Sequence, residues 1–253
     1  GQTIMGDCAH TLKKLSFELG GKNPNIIFAD APLEECLDVT LRSSFANQGQ
    51  VCLAGSRIYV ERPLYASFVE KLVERAKGLK IGDPMDPATT MGSLVSHGHR
   101  ERVMAFVDAA RAEGATIAYG GERVDPASLP ERVKGGAFMQ PTIITDVQEH
   151  YSCQAQEIFG PVVTITPFDR EEDVIARANA TEYGLSATVW TSDLRRGHRV
   201  AAAIDAGLVW INSWFLRDLR TPFGGVKGSG IGREGGIYSL DFYTELKNIC
   251  VQL

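Results

Sequence analysis

The stretch Leu33-Glu34-Glu35-Cys36-Leu37-Asp38-Val39-Thr40-Leu41-Arg42-Ser43-Ser44-Phe45, followed after Gly49 by Arg57-Ile58-Tyr59-Val60, decides the fold class. Leu33, Cys36, Leu37, Leu41 and Phe45 recur at three-to-four-residue steps, the spacing that places apolar side chains on one face of a helix. Asp30 is expected to cap that helix and Gly49 to end it. Arg57–Val60 reads as a strand. Leu64, Phe68, Leu72, Val73 and Ala76 make a second helix, closed by the turn Gly82-Asp83-Pro84. The alternation continues outward. Val103, Phe106, Val107 and Ala110 form a helix capped by Ser96. Residues 115–119, 138–145, 162–168, 185–190 and 208–211 read as strands, and 171–180 and 195–206 as helices. Strands separated by single helices predict an α/β fold: a mostly parallel sheet flanked by helices.

Beyond Asn212 the pattern stops. Residues 222–236 hold seven glycines, a composition that is usually functional or disordered when it runs this long. Gly230-Ile231-Gly232-Arg233-Glu234-Gly235 matches GxGxxG. A dinucleotide fingerprint also needs a strand before it, a helix after it and an acid about 20 residues on, and that context is missing. Tyr243–Val251 alternates weakly, as an edge or oligomer-forming strand would.

The chain has 253 residues, 44% hydrophobic and 23% charged, with a net charge of −5. These values describe a folded protein able to bury a core without staples. They exclude a coiled coil and a collagen-like repeat. No basic run marks a nucleic-acid surface, and no apolar window approaches the ~20 residues of a membrane helix. Cys8, Cys36, Cys52, Cys153 and Cys250 are odd in number and irregularly spaced, which fits neither a disulfide framework nor a zinc site. Reduced thiols and a cytoplasmic location are expected. No metal is expected either, because His97-Gly98-His99 has no third ligand nearby and reads instead as a solvated helix start.

Two candidates for chemistry stand out. Cys52 follows the first helix in the connection to the next strand, where a scaffold commonly carries a nucleophile. The alternative is a small buried hydrophobe, the reading given to Cys36. Glu18 lies between Phe17 and Leu19, just before Gly20-Gly21. A carboxyl in apolar surroundings has a raised pKa and can serve as a general base; the alternative is a capping or salt-bridged glutamate.

Four segments occur in order: Phe17-Glu18-Leu19-Gly20-Gly21-Lys22-Asn23-Pro24; Asn47 to Cys52 with Ala54-Gly55-Ser56-Arg57; Glu157-Ile158-Phe159-Gly160-Pro161-Val162; and Pro222-Phe223-Gly224-Gly225. Together they resemble the signature set of the NAD(P)-dependent aldehyde dehydrogenase superfamily, and the match spans essentially the whole chain. The resemblance implies Cys52 as the nucleophile that adds to the aldehyde carbon, and Glu18 as the acid that activates water against the resulting thioester. It implies that Glu157 holds the nicotinamide ribose, that Phe159 lies beside the nicotinamide, and that Leu19 contributes to the cofactor site. NAD is the expected cofactor, with NADP as the other option, and a homo-oligomer is expected.

Members of the superfamily carry a dinucleotide-binding domain ahead of the Glu18 motif. Gly1-Gln2-Thr3-Ile4-Met5 resembles the tail of a turn and the helix after it in that domain. Residues 1–17 are therefore expected to be its remnant, 18–230 the catalytic domain and 231–253 a tail with an oligomerisation strand. Without the missing half, which would also supply an oxyanion donor worth about 10²–10³ in rate, the chain is expected to be a poor dehydrogenase.

Trp214-Phe215-Leu216-Arg217-Asp218-Leu219-Arg220-Thr221, just before the Pro222 motif, and the ending Tyr243–Cys250 resemble the 2-hydroxymuconate and 2-aminomuconate semialdehyde dehydrogenase branch. Arginine offers a planar fork suited to carboxylate. Arg217 is expected to bind a substrate carboxylate, with Trp214 and Phe215 as apolar wall and Arg220 pairing with Asp218. Two other functions compete: a cofactor-independent thiol esterase using Cys52 and Glu18, and a non-catalytic assembly module.

Overall fold

A computed structural model describes residues 1–253. The core is a seven-stranded sheet built from β2 (Pro24–Ile27), β3 (Arg57–Glu61), β4 (Thr116–Tyr119), β5 (Thr142–Thr145), β6 (Val162–Phe168), β7 (Ser186–Trp190) and β8 (Leu208–Ile211). Its order is β4-β5-β6-β3-β2-β7-β8; only the edge strand β4 runs antiparallel. A separate two-stranded ribbon joins β1 (Phe17–Glu18) to β9 (Gly230–Ile231). The helices are α1 (Gln2–Cys8), α2 (Leu33–Phe45), α3 (Arg62–Lys77), α4 (His97–Glu113), α5 (Ser152–Ala155), α6 (Glu171–Asn179), α7 (Leu194–Ala203) and α8 (Gly236–Tyr243).

The strands alternate across the sheet, and each set of side chains meets its own helices. Ile27, Ile58, Val60, Val163 and Ile165 pack with Cys36, Leu37 and Phe45 of α2 and Phe68, Leu72 and Ala76 of α3. On the opposite face Ile26, Tyr59, Phe168, Ala187 and Val189 meet Val174 and Ala178 of α6 and Val200 of α7. Burying each large aliphatic or aromatic side chain contributes roughly 1.5–3 kcal/mol. Helices on both faces are what a largely parallel sheet needs to cover its apolar surfaces. A third cluster packs Val103, Met104, Val107 and Ala110 of α4 against Met139, Ile144 and Val162.

Several local expectations change. Central strand β2 is absent from the periodicity reading, because Asn23-Pro24-Asn25 opens it with residues depleted in strands. The α2 helix starts after Pro32, with no side-chain cap; Asp30 instead accepts from Thr191 Oγ1 at 2.9 Å and pairs with Arg196. Ser96 does cap α4, accepting from the His99 N–H at 3.1 Å. Only the last part of the expected 138–145 strand, Thr142–Thr145, joins the sheet. The expected terminal strand does not form within the chain: α8 takes its beginning, and residues 244–253 have no regular structure. No helix is long and apolar enough to cross a membrane.

The glycine-rich stretch works as packing rather than as a phosphate cradle. Gly230 has φ +144, and a Cβ there would lie 2.0 Å from Phe17 O. Glycine is required for the tail to reach β1.

Candidate active site

Three of the four segments singled out in the sequence enter the sheet from its amino-terminal edge, and the fourth sends Phe223 into the cluster around Cys52. Glu18–Asn23 lead into β2, Cys52–Ser56 into β3 and Glu157–Pro161 into β6. Open α/β sheets more often place ligands at the carboxyl ends of their strands; here the opposite edge carries the chemistry-bearing loops.

Cys52 is half-buried against a small cluster of Leu53, Leu185, Trp210, Trp214 and Phe223. Asn23, itself 3% exposed, holds its loop: Nδ2 donates to Cys52 O at 2.7 Å and to Ala54 O at 2.9 Å. The Oδ1 atom accepts from Ser186 N at 3.0 Å, tying the clamp to β7. Trp214 Nε1 donates to Leu53 O at 2.9 Å from the other side. These bonds fix the backbone on both flanks of the half-buried thiol. Burial pushes the Cys52 thiol above its usual range, and the nearby carboxylates of Glu18 and Glu157 push it further. Both effects favour the protonated thiol.

Glu18 lies in β1, beside β9 of the tail, and Leu19 N donates to Ser229 O at 3.0 Å. Burial raises the carboxyl's affinity for a proton, and Glu234 adds to it, while Arg217 and Arg233 pull it back down. A raised proton affinity is a shift in the direction a general base requires. Arg233 and Glu234 escaped the sequence reading, because they reach Glu18 only through the β1–β9 pairing.

Glu157 is half-buried, and its Oε1 accepts from Gly21 N at 2.9 Å. A Cβ on Gly20 would fall 2.0 Å from its Oε2, and one on Gly21 would fall 2.8 Å from Cys52 O. The two glycines thus let the Glu157 carboxylate and the thiol loop approach one backbone turn. Two residues on, Phe159 has φ +55 and is 40% exposed. A carboxylate oxygen without a protein partner beside an exposed aromatic face suits a ribose hydroxyl pair and a flat ring, so these residues fit the nicotinamide end of a dinucleotide. Leu19 borders a cavity of about 530 Å³ together with Phe17, Tyr183 and residues of α1.

Arg220 pairs with Asp218 at 2.5 Å. Arg217 has no ion-pair partner, and its guanidinium stands 4.0 Å from the Phe223 ring centroid. Phe215 is half exposed, whereas Trp214 is 8% exposed. The indole of Trp214 therefore braces the thiol loop rather than presenting a broad wall. No group of three or more His, Cys, Asp or Glu side chains could hold a metal ion.

A family model described as the aldehyde dehydrogenase family matches residues 1–249. The chain belongs to the aldehyde dehydrogenase family. Within that family, it is 55% identical over 240 residues to 2-aminomuconic semialdehyde dehydrogenase of Mus musculus, covering 95% of this chain and 49% of that protein. It is 52% identical over 253 residues to 2-hydroxymuconic semialdehyde dehydrogenase of Pseudomonas putida, covering 100% of this chain and 51% of that protein. Among solved structures, the HpcC protein of Thermus thermophilus superposes with a TM-score of 0.93 at 46% identity, covering 98% of this chain and 48% of that one. The NAD+ complex of an aldehyde dehydrogenase from Bacillus cereus superposes with a TM-score of 0.92 at 47% identity, covering 98% and 49%. The chain spans about half the length of the curated relatives it matches.

Proposed function

We propose that this protein oxidises a carboxylate-bearing semialdehyde of aromatic catabolism, of the 2-hydroxymuconate or 2-aminomuconate type, to the dicarboxylate with NAD(P)+. The observation that carries the reading is the convergence of the Cys52 thiol, the Glu18 carboxyl and the Glu157–Phe159 turn at one sheet edge. Named relatives that act on such semialdehydes support the substrate class. NAD is the favoured cofactor, and Glu157, Phe159 and Leu19 are its contacts from this chain.

Cys52 Sγ adds to the aldehyde carbon while its proton passes to the aldehyde oxygen, forming a thiohemiacetal. A nicotinamide held by Glu157, Phe159 and Leu19 would supply the hydride acceptor, and loss of hydride and of the hydroxyl proton would leave a thioester on Cys52. Glu18 then takes a proton from water, whose oxygen attacks the thioester carbon; the carboxylate leaves and Sγ is free again. Splitting one difficult oxidation into an acyl-enzyme step and a hydrolysis is what a covalent nucleophile contributes. Arg217, which has no ion-pair partner, receives the distal carboxylate, and Phe215 lines its approach.

The domain reading follows the same lines: 1–17 as part of a dinucleotide-binding domain, 18–230 as the catalytic domain and 231–253 as an assembly tail. Exposed Ile237, Leu240, Tyr243, Leu246, Ile249 and Val251 along that tail support a homo-oligomer. Five cysteines without a disulfide support a reducing, cytoplasmic compartment.

The test is steady-state NADH formation by the protein at its full natural length. Cys52→Ala is expected to abolish turnover. Arg217→Ala is expected to raise KM for the semialdehyde about tenfold or more, the usual scale for a lost charge-assisted pair, with little change for an uncharged aldehyde. An unchanged KM would remove Arg217 from the substrate site, and activity in Cys52→Ala would overturn the mechanism.

A further inference from the structure

His99 is 8% exposed in the first turn of α4. Its Nε2 lies 2.6 Å from the backbone oxygen of Phe159, and its Nδ1 lies 3.3 Å from Arg102 NH2. A guanidinium can only donate, so Nδ1 must accept; a neutral imidazole then carries its proton on Nε2 and donates it to Phe159 O. Each partner thus fixes the tautomer the other needs.

Phe159 needs such a brace. It holds φ +55, a left-handed conformation that is a strained exception for a bulky aromatic residue and persists only where surrounding contacts impose it. The same face of α4 supplies more. A Cβ on Gly160 would lie 2.7 Å from Val103 Cγ2, and one on Gly49 would lie 2.2 Å from Gly160 O. The His99 and Phe159 rings meet edge to face, with centroids 6.4 Å apart. The turn that carries both Glu157 and Phe159 is therefore seated on α4, with His99 as its polar anchor.

We propose that His99 is a positioning residue for the cofactor: it fixes the Glu157–Phe159 turn so that carboxylate and ring present together to the nicotinamide end of a dinucleotide. This rests on the assignment of Glu157 and Phe159 under the proposed function. His99 touches neither Cys52 nor Glu18, so its loss should separate cofactor binding from thiol chemistry.

The test measures NADH affinity by the fluorescence of the bound nicotinamide, in the protein at its full natural length, with alkylation of Cys52 by iodoacetamide as an independent readout. His99→Ala is expected to weaken NADH about tenfold or more, since misplacement of a binding group by about 1 Å can cost that much or more, while Cys52 alkylation stays unchanged. His99→Gln, whose amide can donate to Phe159 O and accept from Arg102, should recover most of the affinity. Wild-type affinity in His99→Ala, or no recovery in His99→Gln, would overturn the proposal. Should His99→Ala fail to fold, Arg102→Leu decides: it keeps the ring but frees the tautomer, and unchanged NADH affinity there would count against the brace. A wild-type protein that binds no NADH would instead refute the underlying cofactor assignment, and the role of His99 with it.

Discussion

Replacing Asn23 by alanine removes three hydrogen bonds at once, to Cys52 O, Ala54 O and Ser186 N. Each such bond is worth about 1 kcal/mol net, and each buried group left without a partner adds a further desolvation cost of about 1–3 kcal/mol. Cys52 O lies next to a half-exposed side chain and can recruit water, whereas Ala54 O and Ser186 N are enclosed. A total of about 3–5 kcal/mol follows. In a chain of this size, 1 kcal/mol corresponds to roughly 2–4 °C in Tm, so the melting temperature should fall by about 10 °C. The assay is thermal unfolding of the full natural protein, paired with iodoacetamide alkylation of Cys52, which reads whether the loop has lost its fixed geometry. The isosteric Asn23→Asp sharpens the test. Its carboxylate would face two carbonyl oxygens, so the folded state favours the neutral acid and the pKa rises. Stability is then present at low pH and lost as pH climbs through that raised pKa. A Tm within about 3 °C of wild type for Asn23→Ala, against the fall worked out above, would refute the clamp. So would an Asn23→Asp variant that gains stability from pH 4 to pH 7.

Lys22 is 1% exposed, with Nζ lacking any partner, and burial followed by the Arg57 charge lowers its pKa to about 7. The unfolded chain holds the proton more tightly, so stability should rise with pH between about 7 and the ordinary lysine value near 10.4. Lys22→Met is expected to raise Tm by several degrees at pH 7 and by much less at about pH 10; an equal gain at both would contradict it. Alkylation of Cys52 should still be accelerating at pH 9, because burial and two carboxylates hold the thiol up; a plateau below pH 8 would show a thiolate the structure does not support. Gly20→Ala places a methyl group 2.0 Å from Glu157 Oε2. It should weaken NADH about tenfold or more, with Cys52 alkylation retained, and calorimetry or fluorescence titration would show otherwise if the carboxylate simply rotates away.

The sequence carried the fold class because α2 and α3 and their neighbouring strands obey simple periods. It lost β2 because Asn23 and Asn25 spend their side chains on neighbouring loops and helices rather than on a pleated apolar surface. Asn25 Nδ2 donates to Thr40 of α2 at 3.0 Å. Cys52 and Glu18 were visible from motif and position. The surroundings that set their proton affinities were not, since Glu234 and Arg233 arrive at Glu18 from the far end of the chain. The brace on Phe159 was equally hidden: His99 reads as a helix start, and nothing in its neighbours points 60 residues ahead to the carbonyl it holds. The tail is a different case: its apolar residues have no partner inside the chain, so the strand expected of them has nothing there to pair with.

The ribbon between β1 and β9 also fixes an order of events during synthesis. Phe17 pairs with Ile231, so the strand bearing Glu18 has no partner until residue 231 has left the ribosome. The Cys52 loop waits almost as long, because Trp214 and Phe223 close the cluster around the thiol. Thiol and carboxyl are therefore seated in the same late stretch of synthesis, and a nascent chain stalled before Trp214 holds neither in place.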